Sequence, residues 1–307
     1  MSELVSIFVN NIAPVLFVVG AGYLVGKYLH VETRSISQLT FNIFSPALVF
    51  YSLYTTTIGG DQLARLFLIT ATFQCGMAAI AYTVMRAAGS GKVERTSIMI
   101  SSFCLNAGNF GLSIATFAFG ESVLALAVVV YIANTMLNYT LGVFVASSGR
   151  SSPGRALRNV LYVPAVYATA AAIIFRAFSI ELPFPILQSV VLVKDAAIPA
   201  MLVLLGLQLS HSAQVQKWRF VSIGVLLRLL VGPVFGLLLV FAFQLDTLAT
   251  IAFLLQASMP TAVLTLILAK QYDLDETLSL NIITVSTLLS PFTLSILILL
   301  LKRAYLG

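Results

Sequence analysis

Ten stretches of this chain stay apolar over about the 20 residues that a bilayer-spanning helix needs, and most polar residues gather between them. They run Val5 to Leu29, Ile36 to Tyr54, Leu63 to Met85, Ser97 to Phe119, Val123 to Ala146, Val160 to Phe178, Ile186 to Leu209, Phe220 to Phe243, Leu248 to Leu268, and Leu278 to Leu301. Two of the ten are interrupted. LNAGNFGLS at Leu105 to Ser113 breaks the fourth, and QASMPTAVL at Gln256 to Leu264 breaks the ninth. Backbone freed from a helix inside lipid must find partners in protein or in water. Two such breaks at matching places in two halves therefore predict a transporter's substrate site.

Landmark spacing supports an internal repeat. SPALV at Ser45 to Val49 and IPAML at Ile198 to Leu202 both put Pro-Ala in a middle span, and Pro46 to Pro199 is an offset of 153. The same shift carries Pro260 onto Ala107, the third span onto the eighth and the fifth onto the tenth. Five spans per half is an odd number, so the copies run through the membrane in opposite directions. The expected fold class is an all-α integral membrane protein of ten transmembrane helices in a 5+5 inverted repeat, with broken helices 4 and 9 crossing near the midplane. Residues 1–150 and 151–307 form the two repeats.

Composition narrows the function classes. At 59% hydrophobic and 9% charged, the chain departs far from a soluble domain, where about a quarter of residues are charged. Glu3 stands where a signal peptide would be basic, so the first span is read as retained. The formal charge of +6 comes from basic residues that sit singly between spans, and no nucleic-acid-binding stripe forms. Eleven of them (Lys27, Arg34, Arg86, Lys92, Arg95, Arg150, Arg155, Arg158, Lys217, Arg219 and Lys270) fall on one side of the membrane. Arg65, Arg176, Lys194, Lys302 and Arg303 fall on the other. The positive-inside rule makes the first side cytoplasmic and puts both termini outside, in an inner-membrane, multi-pass protein. Cys75 and Cys104 lie in apolar spans without CxxC spacing and are expected to be buried free thiols. Paired acids, HExxH and serine-based constellations are missing from the spans, which points away from an enzyme, a metal site or a cofactor.

The breaks carry the candidate substrate-binding residues. Helix N-termini favour an anion through unpaired N–H groups and the macrodipole, without a full positive charge. Asn106 and Asn109 can donate amide hydrogens, Gly108 and Gly111 let backbone approach closely, and Pro260 frees a carbonyl. Gln256, Ser258 and Thr261 add donors and acceptors, although small and hydroxylated residues also glue membrane helices together. Arg228 is the charge well inside a span, eight residues past Phe220 or about 12 Å in. Attraction of the anion, snorkelling and a structural bond to carbonyls are its open readings. Lys194 and Asp195 open the seventh span and, as sequence neighbours, are not expected to face each other. All acidic residues are placed in loops or near span ends, and His30 and His211 in loops, so a proton relay has no carrier.

FNIFSPALVF in the second span, LNAGNFGL followed by FAFG in the fourth, and SMPTAVLTLILAKQYDLDETLSLNIITVSTLLS across the ninth and tenth resemble the auxin efflux carrier family. That family includes plant PIN-type transporters and bacterial carriers of small carboxylates, within the bile acid and auxin transporter superfamily. The resemblance implies a scaffold of helices 1, 2, 6 and 7, a moving transport unit of helices 3–5 and 8–10, elevator-like alternating access, and a homodimer. Where the family usually has Gly-Leu-Pro, this chain has Gly111, Leu112 and Ser113. The expected function is a carrier of a small organic anion (carboxylate, auxin-like or dicarboxylate), driven outward by the membrane potential without ion coupling. Sodium-coupled carboxylate uptake and a non-transporting membrane ligand sensor stay open beside it.

Overall fold

The computed structural model describes residues 3–29, 31–56, 58–147, 160–210 and 216–305. His30, His211, both chain ends and the basic loop residues Arg150, Arg155 and Arg158 lie outside the described residues. Among the described residues twelve helical segments are delimited, in order: α1 (Glu3–Tyr28), α2 (Thr33–Thr55), α3 (Gly60–Ala87), α4 (Lys92–Phe103), α5 (Ala107–Phe119), α6 (Glu121–Ala146), α7 (Pro164–Ala177), α8 (Phe184–Leu209), α9 (Trp218–Phe243), α10 (Thr247–Ala257), α11 (Leu264–Gln271) and α12 (Glu276–Tyr305). Among the described residues there is no strand, and the protein is an all-α membrane protein. Seven of the helices (α1, α2, α3, α6, α8, α9 and α12) are long and apolar enough to cross a bilayer, and α5, α7 and α10 are shorter apolar helices.

Local sequence explains where the long helices deform. The π turns Phe8–Ile12, Thr40–Phe44 and Leu227–Val231 each run up to a proline, at Pro14, Pro46 and Pro233. Proline offers no N–H and its ring crowds the carbonyl four residues back, and a turn widened to i→i+5 bonding absorbs both effects. At α7, Pro164 occupies the first helical turn, where a missing donor costs nothing. Asp246 caps α10 by accepting the Ala249 N–H at 2.9 Å.

The helices gather in two groups. In one, α1 lies along the second half of α8, while α2 packs on α7 and the first half of α8. A Cβ on Gly22 would run into the Val203 carbonyl, and one on Gly206 into the Val19 carbonyl, so the two glycines let α1 and α8 touch backbone to backbone. In the other group, α3 packs on α4 and α6, α6 on α10, and α9 on α10 and α12. Phe73, Phe103, Phe110 and Phe253 fill its interior. Outside, large apolar side chains stand bare: Phe17 is 78% exposed, Leu192 76% and Phe178 75%. Such a surface has no stable place in water and suits a hydrocarbon solvent.

Two expectations need correction. Asp195 is not near a span end: it closes the 12-residue first half of α8, ahead of the 13-residue second half. Its Oδ1 pairs with Lys194 Nζ at 2.7 Å, because the helix is interrupted at Ala196 and the long lysine side chain folds back, with its ammonium over the Tyr51 ring. An ion pair within a span offsets much of each partner's desolvation. Cys104 is buried, but Cys75 is exposed. Its neighbour Gln74 takes the inward face of α3, and one helical step turns Cys75 away from it.

Candidate functional site

Two chain segments that belong to no helix meet in the middle of the molecule. α4 stops at Phe103 and α5 begins at Ala107, while α10 stops at Ala257 and α11 begins at Leu264. Between them Leu105 and Thr261 form an isolated antiparallel bridge. The Asn106 N–H donates to the Pro260 carbonyl at 2.9 Å, and the Ala262 N–H to the Cys104 carbonyl at 2.9 Å. Freed backbone in lipid needs internal partners, and here each break supplies those of the other.

Side chains from neighbouring helices satisfy what the bridge leaves over. The Asn134 amide on α6 brackets Leu105: its Nδ2 donates to the Leu105 carbonyl at 3.2 Å and its Oδ1 accepts the Leu105 N–H at 3.4 Å. Gln74 Nε2 on α3 donates to that same Oδ1 at 2.7 Å and to Asn138 Oδ1 at 3.5 Å. On the other strand the Thr261 N–H donates to Ser286 Oγ at 3.2 Å, and Thr261 Oγ1 to the Ser101 carbonyl at 2.9 Å. Ser258 Oγ, just past the end of α10, bonds back to the Leu254 carbonyl at 2.7 Å.

A cavity of about 310 Å³ opens beside the bridge. Its wall includes Leu105, Asn106, Gly108 and Asn109 from the first break and the start of α5, and Ala262, Val263 and Leu264 from the second break and the start of α11. Asn42, Asn134, Asn138 and Gln208 add amides, and Phe41, Tyr131, Tyr139 and Tyr162 add rings. Among the described residues no Lys, Arg, Asp or Glu is in this wall. Asn106 Nδ2, Asn109 Oδ1 and Gln208 Oε1 are buried without a hydrogen-bond partner among the described residues. Unpaired buried amides are costly and call for a partner, which a ligand or water in the cavity would supply.

Of the residues singled out in the sequence, Asn106, Gly108 and Asn109 line the cavity. Gly111, Gln256, Ser258, Pro260, Thr261 and Arg228 are not part of its wall and are buried around the paired segments. Gly111 leaves space for the Gln256 amide, whose Oε1 a Cβ would strike. Arg228 is fully buried and does not snorkel. Its Nε donates to the Met259 carbonyl at 2.8 Å, its Nη1 to the Ser102 carbonyl at 2.7 Å, and its Nη2 to the Ala257 carbonyl. Sequence reasoning passed over Asn134, Asn138, Gln74 and Gln208. Asn134 and Asn138 did carry a signal, as two amides at i, i+4 on one face of an apolar span.

Residues 150–298 match the family described as membrane transport protein. An uncharacterized transporter of Methanothermobacter thermautotrophicus is 27% identical over 297 residues, covering 93% of this chain and 95% of the relative. An uncharacterized transporter of Methanocaldococcus jannaschii is 25% identical over 292 residues, covering 92% and 95%. These likenesses join a molecule that is all-helical among its described residues, with an apolar exterior and an amide-bearing cavity beside the two breaks. The second half of the chain thus resembles the membrane transport protein family, and the near full-length likeness to two transporters makes the chain a multi-pass transport protein rather than an enzyme.

Proposed function

We propose that the protein carries a small organic anion across the inner membrane, bound in the cavity beside the crossover. The observation that carries this reading is Asn106 Nδ2, a buried amide donor at the cavity wall with no partner of its own. α5 and α11 begin at the same cavity, and their first N–H groups bring partial positive charge to it. Amide donors and two helix starts suit a single carboxylate. The tyrosine and phenylalanine rings suit its apolar remainder.

The ten spans are read as a 5+5 inverted repeat, residues 1–150 and 151–307, with α4–α5 and α10–α11 as the crossed broken helices. α1, α2, α7 and α8 act as the scaffold, and the other helices move against it in an elevator cycle. The scaffold also makes the homodimer, and both termini lie outside. Expelling a monovalent anion from a negative-inside cell is favourable by about 2.3 kcal/mol per 100 mV, so export needs no coupled ion. Among the described residues the wall of the cavity holds no carboxylate or histidine to take up a proton.

Proteoliposomes under an imposed potassium diffusion potential test this. Radiolabelled monocarboxylates should move with the potential and be indifferent to sodium and to a pH gradient. A strict sodium requirement would replace this reading with coupled uptake, and saturable binding without flux would replace it with a ligand sensor.

A further inference from the structure

Arg228 presents an unusual charge balance. It is fully buried in α9, and the ion pairs of the described residues (Lys194 with Asp195, Lys217 with Glu94 and Asp275, Arg303 with Glu3) all lie elsewhere. A buried charge normally needs an opposite one. Here it has three backbone carbonyls instead, and two of these close helices: Ser102 is next to last in α4, and Ala257 is last in α10. Met259, within the second break, supplies the third. Each helix C-terminus carries roughly half a negative charge, so two ends pointed at one guanidinium come to about one unit. The space is shaped for this group. A Cβ on Gly232 would lie 3.1 Å from Nη2 and 3.3 Å from Cζ, and the Phe73 ring stands 5.6 Å from Cζ on another side.

Carbonyls at half-helix C-terminal ends in a membrane protein are the donor set that binds alkali cations, replacing their hydration shell. We infer that Ser102, Ala257 and Met259 form a monovalent-cation site, and that Arg228 fills it permanently as a cation tethered to the chain. The crossover then has two electrostatic sides. Its C-terminal ends are neutralised by Arg228, and its N-terminal ends are left open to the cavity. Because the guanidinium belongs to α9, it stays with the protein through the cycle and adds nothing to the charge transported. Independence from sodium, as in the carrier reading above, is the consequence of this one side chain.

Removing the tether should leave a site that free cations can enter. The test is thermal unfolding of the purified full-length protein, without any anion, in choline, sodium, potassium or low-millimolar guanidinium buffers of equal ionic strength. The parent should unfold at the same temperature in all of them. Arg228→Ala should unfold lower in choline and regain at least half of the loss, saturably, with guanidinium or with an alkali cation. Arg228→Lys keeps an ammonium and should remain indifferent to the added cation. A sodium-dependent rise in the parent would overturn the inference, as would a folded Arg228→Ala that no cation stabilises. Failure to recover Arg228→Ala in every one of these cations would also overturn it, since an occupied cage should hold the fold. Anion binding plays no part in this readout, so its result is separate from that of the Asn106 experiment described below.

Discussion

Asn106 lets a binding role be separated from a structural one, because its side chain lacks the partners a structural amide would have. Nδ2 is buried and unpaired, whereas the fold-holding bond at this residue is made by its backbone N–H to Pro260, which any residue but proline keeps. Asn106→Ala should therefore leave stability within about 1 kcal/mol, since the relief of an unpaired buried donor offsets the lost packing. Binding should respond quite differently. An amide donating to a carboxylate makes a charge-assisted bond of about 1.5–3 kcal/mol. At 1.4 kcal/mol per decade, affinity should fall roughly ten- to hundredfold. Calorimetric titration of a carboxylate into parent and variant, beside thermal unfolding of both in the same detergent, reads the two quantities separately. A variant that loses more than about 2 kcal/mol of stability while binding like the parent would show that Asn106 is glue and that the site is wrong.

The remaining predictions concern what holds the site. Asn134→Leu keeps the volume but orphans the Leu105 N–H and carbonyl and leaves Gln74 Nε2 only its 3.5 Å bond to Asn138, and should cost about 2–4 kcal/mol in reversible detergent unfolding, since unmade buried bonds cost about 1–3 kcal/mol each and the 3.4 Å bond is weak. Gly206→Ala drives a Cβ into the backbone of α1, where nothing can rotate aside, and a loss of about 1–3 kcal/mol or more is expected by the same assay. At the membrane's edge, Lys217 bridges Asp275 at 2.6 Å and Glu94 at 3.3 Å, and its hydrogen bond to Asp275 holds the ammonium above the usual lysine range. A raised folded value means the contribution is full below the ordinary lysine pKa and is lost as pH climbs through the folded one. The stability difference between the parent and Lys217→Met should thus be flat through neutral pH and vanish only in strongly alkaline buffer.

The sequence alone determined the membrane class, the approximate place of the seven long apolar helices and the polar stretches at Leu105 and Pro260 where the described helices stop. These are local properties: hydropathy over about 20 residues decides whether a segment enters lipid, and Asn, Gly and Pro within such a run decide where helix gives way. It marked Asn106, Gly108 and Asn109 for the same reason. Partner choice lay beyond it. Arg228 finds Ser102 across 126 residues of chain, and Gln74 finds Asn134 across 60. In sequence Arg228 was equally compatible with a lure for anions and with a structural bond, and only the meeting of two helix C-termini around it decided which groups its guanidinium bonds. Asp195 shows the same limit from the other side. The interruption of α8 at Ala196 and the pairing of the Asp195 carboxylate with Lys194 depend on how the helix packs, which no hydropathy window records. Burial free energy is additive along a chain and can be read from it. Satisfying buried polar groups depends on which segments pack together, and that is decided in three dimensions.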